Sequence, residues 1–174
     1  MPRRSDSGKT LKPSLLEGYD ALSELDDTDR TLLRLIQEEG RISIARLAEA
    51  VSLSETPCAR RVKRLESEGY ILGYQARLHR QRLGFGVLAF VQLSVSIHTE
   101  EATRAFEEAM LACPEVLACH NVTGRSDYLL QVVAPDLDQY GSFIERVLRK
   151  MPEIRSIESS LCLKELKYTQ LLPL

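Results

Sequence analysis

The chain has 174 residues, 44% hydrophobic and 28% charged, with a net charge of −2 and four cysteines. That size holds one ordinary domain or two small ones, and that balance excludes wholesale disorder. No apolar run reaches the ~18–20 residues of a bilayer-spanning helix. Residues 1–13 lack the apolar core of a signal peptide, so the reading is cytoplasmic.

In chain order, residues 1–24 read as an extension: a polar tail over 1–13, then a weak helix over 14–24 interrupted by Gly18. Organisation begins at Leu25. Asp26 is placed to cap a helix, Asp29 puts negative charge in its first turn, and Leu32, Leu33, Leu35 and Ile36 form its apolar face up to Gly40. Ser43 caps a second helix with Ile44, Leu47, Ala48 and Val51 at i, i+3, i+4 and i+7. After the tight Ser52-Leu53 link, Ser54 caps a third helix running to about Glu68. Pro57 is tolerated in its first turn, where amides have no intrahelical partner.

Three short helices with a compact turn between the last two are the helix-turn-helix pattern. On the third, Cys58, Val62 and Leu65 share one face, and the rest carries Glu55, Thr56, Ala59, Arg60, Lys63, Arg64 and Ser67. Residues 54–82 hold seven basic side chains (Arg60, Arg61, Lys63, Arg64, Arg77, Arg80, Arg82) against three acidic ones, a local +4 suited to a phosphate backbone. The competing reading is a solvated cationic helix in an ordinary bundle. Position in the tri-helix favours DNA: Thr56, Arg60, Lys63 and Arg64 are the expected contacts, with Ser54 and Glu55 at the helix start touching phosphate or base edges indirectly. The following YILGYQARL (70–78), with Gly73 at its turn, predicts a small wing hairpin. Residues 75–86 read as a hinge, which leaves 25–74 as the DNA-binding domain and 87–174 as a second domain.

That second domain alternates strand and helix. A strand is predicted over 87–97, a helix from Thr99 to Ala112, strands over 116–124 and 127–134, an Asp136-capped helix to about Met151, and a last strand over 157–166. The order β-α-β-β-α-β is the ferredoxin-like plan, so the fold class is α+β. Two helices cover one sheet face; a bare apolar opposite face implies a partner subunit.

No active site assembles. Cys58, Cys113, Cys119 and Cys162 form no CxxC pair and have no histidine at ligand spacing, so buried thiols are expected, with no metal and no cofactor. Cys119 and His120 are neighbours on a strand and point to opposite faces.

From Leu25 onward the chain resembles the leucine-responsive/asparagine-regulator (Lrp/AsnC, feast-famine) family of bacterial transcription factors. The stretches that carry the resemblance are LDDTDRTLLRLIQEEGRIS (25–43), LAEAVSLSETPCARRVKRLESEGYILGY (47–74), VTGRSDYLL (122–130) and SSLCLKELKYTQLLP (159–173). The resemblance implies a winged helix-turn-helix that binds double-stranded DNA and a ferredoxin-like regulatory domain for amino-acid metabolism. It further implies dimers assembling into octamers, with an amino-acid effector held at interfaces between dimers. The family's effector loop falls on Thr123, Gly124, Arg125, Ser126, Asp127 and Tyr128, and its last-strand pocket positions fall on Ser159, Ser160, Leu161 and Cys162. The residues themselves leave two readings of the loop. Turn amides and Asp127 suit an amino acid's carboxylate and ammonium; alternatively Gly124-Arg125-Ser126 is only a hairpin turn and Asp127 its stabilising carboxylate. An effector-independent architectural DNA binder is the alternative function. A metabolic enzyme is a further one, and it needs a polar cluster that the sequence does not offer.

Overall fold

The computed structural model describes residues 24–96 and 99–174, so the expectations for the N-terminal extension, for Ile97 and for His98 lie outside the described residues. Its contacts divide the chain into two compact units, one up to Arg77 together with Tyr168–Leu174 and the other Leu78–Lys167.

In the first unit, α1 (Asp27–Glu38), α2 (Ile44–Ala50) and α3 (Glu55–Ser67) fall where the capping residues and apolar spacing predict. Asp26 and Asp29 form a reciprocal capping box: the Asp29 amide donates to Asp26 Oδ1 (2.8 Å) and the Asp26 amide to Asp29 Oδ2 (3.3 Å). Ser43 accepts from the Arg46 amide. Ser54 has N-cap backbone geometry, but its hydroxyl accepts no amide. The α2–α3 turn depends on Ser52 at φ 54°, a left-handed conformation that costs a non-glycine residue roughly 1–2 kcal/mol. It lets the Leu53 amide return to Ala48 O at 2.9 Å. Leu32, Leu33, Ile36, Leu47, Ala48, Cys58, Val62 and Leu65 then close one core.

The predicted wing does not form: no strand occurs between Tyr70 and Leu78. The Ile71 amide closes the end of α3 on Leu65 O, and Leu72 to Leu78 are exposed with no facing strand to reward their alternation. Instead, Tyr74 donates to Glu66 Oε1 at 2.9 Å, and Arg77 Nη2 donates to Tyr168 O in the C-terminal segment. That segment also pairs with α1, where Gln37 donates to Leu172 O (2.7 Å) and accepts from the Leu172 amide (2.9 Å).

The second unit contains β1 (Val87–Val95), α4 (Glu100–Ala112), β2 (Val116–Asn121), β3 (Tyr128–Ala134), α5 (Leu137–Arg146) and β4 (Ile154–Leu161). The sheet order β2-β3-β1-β4, antiparallel at every pairing, is the ferredoxin-like arrangement. Thr99 and Asp136 cap their helices as expected. Ala89, Val91 and Leu93 of β1 and Tyr128, Leu130 and Val132 of β3 pack with Phe106, Met110, Tyr140, Phe143 and Leu148.

The last strand corrects the prediction of 157–166. It starts earlier, at Ile154 opposite Val95, and pairing closes where the Cys162 amide reaches Leu88 O at 2.8 Å. Pairing stops one residue short of Val87, where β1 begins, and Leu163 is 99% exposed. The sheet face away from α4 and α5 is mixed, apolar at one set of positions and polar at another. Leu88, Phe90, Leu129 and Val133 share it with Gln92, Gln131, His120, Glu158 and Ser160.

Candidate nucleic-acid interface and effector loop

Helix α3 projects two different sets of basic side chains. Thr56, Arg60, Lys63 and Ser67 recur at i, i+4, i+7 and i+11, a single stripe, and all four are exposed. Among the described residues no ion pair or hydrogen bond engages the head group of Arg60 or Lys63. Ser54 and Glu55 are exposed at the helix start. This outward stripe, opposite the buried Cys58, Val62 and Leu65, is a surface able to enter a groove.

Arg61 and Arg64 turn the other way. Arg61 Nη1 donates to Asp26 Oδ2 (2.7 Å) and Asp29 Oδ1 (2.9 Å), and Arg64 Nη2 donates to Asp29 Oδ2. Asp29 is 1% exposed, so its charge is neutralised almost entirely by these two guanidinium groups. The Asp29 amide and then the Arg61 guanidinium hold the Asp26 carboxyl below the usual range, and Arg61 is raised in turn by Asp26 and Asp29. Arg64, expected at the DNA, is thus committed to α1. Charge counting along the sequence treated these four cations alike; only packing of α3 on α1 separates them.

In the second unit, residues 123–127 form the β2–β3 loop, with Gly124 at φ 123°, a conformation that L side chains rarely adopt. Its hydrogen bonds tie it to the end of β1. The Asp127 amide donates to Leu93 O (2.8 Å), Asp127 Oδ2 accepts from the Val95 amide (2.7 Å), and Ser94 Oγ donates to Arg125 O. One carboxylate oxygen of Asp127 is therefore a structural acceptor, and a substitution there tests the loop's own fold as well as any ligand contact. Thr123, Gly124 and Arg125 are exposed and Ser126 is half-buried. Tyr128 is 5% exposed and packs on Phe106 with ring centroids 4.5 Å apart, so it belongs to the core.

The last-strand positions lie elsewhere. Ser159 Oγ accepts from the Tyr140 hydroxyl at 2.6 Å; Ser160 and Leu161 are exposed, and Cys162 is half-buried. Ser160 faces Phe90, whereas the loop is tied to Leu93 and Val95. Ser159 pairs with Val91, two residues or roughly 7 Å along β1 from Leu93, and β4 flanks β1 on the side opposite β3. Within one copy, β1 lies between the two segments.

Cys119 and His120 do diverge. Cys119 packs against the helix-covered core, where burial and then Glu107 raise its thiol to about 11, while His120 is exposed. A thiol so held is protonated at neutral pH and is a poor nucleophile. Among the described residues no helix is long and apolar enough to cross a membrane.

These two units define a class: a helix-turn-helix DNA-binding protein with a ferredoxin-like regulatory domain. Two family models match, one described as winged helix-turn-helix DNA-binding over residues 25–71 and one as the Lrp/AsnC ligand-binding domain over 88–172. The chain belongs to the Lrp/AsnC family of transcriptional regulators. It is 40% identical to the Bkd operon transcriptional regulator of Pseudomonas aeruginosa, across 88% of this chain and 100% of that one. It is 37% identical to the DNA-binding transcriptional activator DecR of Escherichia coli, across 86% and 99%. Among solved structures it resembles a Neisseria meningitidis transcriptional regulator in complex with L-Met, with a TM-score of 0.82, 37% identity, and 86% and 97% of the two chains covered.

Proposed function

We propose that the chain binds operator DNA sequence-specifically through Thr56, Arg60 and Lys63 of α3, and that an amino acid tunes this affinity. Ser54 and Glu55 meet the DNA at the helix start, and Arg64 contributes from behind, through Asp29. The observation that carries the reading is the outward stripe, two exposed cations one turn apart with no acidic partner among the described residues. Base edges take bidentate Arg contacts, and phosphates take Lys as a point charge.

In this reading the effector sits between copies, with Thr123, Gly124, Arg125, Ser126 and the free Asp127 oxygen from one and the Ser159–Cys162 strand end from another. That β1 lies between these segments within one copy supports a site shared by two. Such sharing calls for dimers that assemble further, an octamer being the expected size, in the cytoplasm and with no metabolic turnover. The complex of the Neisseria meningitidis relative makes L-Met the first amino acid to try.

The test is thermal unfolding of the full chain with each of the twenty amino acids. A true effector at 100 times its dissociation constant stabilises the native state by ~2.7 kcal/mol, and it should also shift operator affinity. If none of the twenty changes either quantity, the alternative stands: an effector-independent architectural DNA binder. The bonds that already tie Asp127 and Arg125 to β1 are the observation that favours this second reading.

A further inference from the structure

The least expected feature of the DNA-binding unit is the ionic cluster behind α3. A carboxylate as buried as Asp29 is expensive unless its oxygens are filled, and here they are: by Arg61 Nη1, by Arg64 Nη2 and by the Asp26 amide. Both arginines come from α3 and are spaced i, i+3, so the cluster grips that helix along one side. On the apolar side α3 is held by the narrow seam of Cys58, Val62 and Leu65. A seam of rounded side chains resists separation better than it resists rolling. Two directional, charge-assisted hydrogen bonds set off from that seam restrain the roll.

We infer that Asp29 is the positioning residue of the DNA-reading surface. Through Arg61 and Arg64 it fixes the rotation of α3 about its own axis and so aims Thr56, Arg60 and Lys63, while Arg64 itself touches no DNA. This rests on the reading of α3 as the recognition helix. Arg64 is suited to the task because a planar guanidinium holds one orientation on a carboxylate, and an ammonium does not.

The experiment uses the full-length chain, an operator duplex selected from random DNA, and a scrambled duplex of equal length. Affinities are measured across a salt series for Arg64→Gln, Arg64→Lys, Asp29→Asn and the Asp29→Asn/Arg64→Gln pair, with Arg60→Ala and Lys63→Ala as controls. We expect Arg64→Gln and Asp29→Asn each to lower operator affinity about tenfold, with scrambled-DNA affinity and salt slope unchanged. The double variant should lose no more than the worse single, because residues acting through one contact are not additive. Arg64→Lys should fail to rescue. A salt slope reduced by about 0.9 in Arg64→Gln, the signature of one lost phosphate contact, overturns the proposal. So does rescue by lysine, or losses that multiply in the double variant. If Asp29→Asn does not fold, slope and lysine rescue at Arg64 decide alone. Were Arg60→Ala and Lys63→Ala both to leave affinity and slope at wild-type values, the reading of α3 itself would fall, and the proposal with it.

Discussion

Arg60→Ala is expected to weaken operator binding by about 1–3 kcal/mol and to relax base preference at one position of each half-site. Lys63→Ala should instead weaken every sequence alike and lower the salt slope by about 0.9, as one fewer counterion is released. The two residues are three apart on the same exposed stripe, so both reach one groove. Their different outcomes follow from head-group chemistry. The guanidinium presents a fork that matches the N7 and O6 acceptors of guanine, whereas the ammonium is a compact charge without base preference. Neither substitution should alter folding, since neither side chain holds another element. Equilibrium titrations on operator and scrambled duplexes check both. Equal loss on the two duplexes for Arg60→Ala would move that residue from base reader to phosphate contact.

The second large effect concerns the core beneath that stripe. Leu65 is fully buried among Leu32, Leu47, Cys58 and Val62, and its carbonyl accepts the Ile71 amide where α3 ends. Leu65→Ala should cost about 2–5 kcal/mol through lost burial and the cavity left behind. For a unit this small that is a large share of its stability. Leu130, equally buried, belongs to the separate core of the sheet domain, and Leu130→Ala should cost a similar amount there. Calorimetry should then resolve selective damage: Leu65→Ala lowers the transition of the helical unit, and Leu130→Ala lowers that of the sheet. Equal movement of a single transition by both variants would show that the two cores unfold together.

Local rules made much of this architecture legible in advance. Asp26, Ser43, Thr99 and Asp136 each cap the helix they precede, because a short polar acceptor before an apolar-periodic run has few better uses. The strand order followed from element order, since connection rules leave few ways to fold β-α-β-β-α-β. What stayed hidden depends on partners distant in the chain. Leu163 and Leu166 continue a strand-like leucine pattern, yet β4 ends at Leu161 and Leu163 is left exposed. Tyr70 to Leu78 alternates like a hairpin but has no facing strand. The left-handed Ser52 was invisible because glycine, the usual marker, is absent. At the site, the stripe of Thr56, Arg60 and Lys63 could be read from spacing, whereas the diversion of Arg64 to Asp29 could not. Asp29 is 35 residues away in sequence and looked like one more charge in a helix's first turn. The return of the C-terminal segment to Gln37 likewise carries no local signature.

If the chain reads DNA as proposed, the outward stripe of α3 lies in a groove of the duplex. Site-specific photo-crosslinking locates that contact. A benzophenone side chain is introduced at Thr56 or Ser67, the two ends of the stripe, and at Arg104 on α4, and each variant is irradiated on the selected operator. Adducts are expected at defined base positions from 56 and 67, spaced along one groove, and none from 104. Absence of adducts from both stripe positions, or equal yield from 104, would contradict that placement.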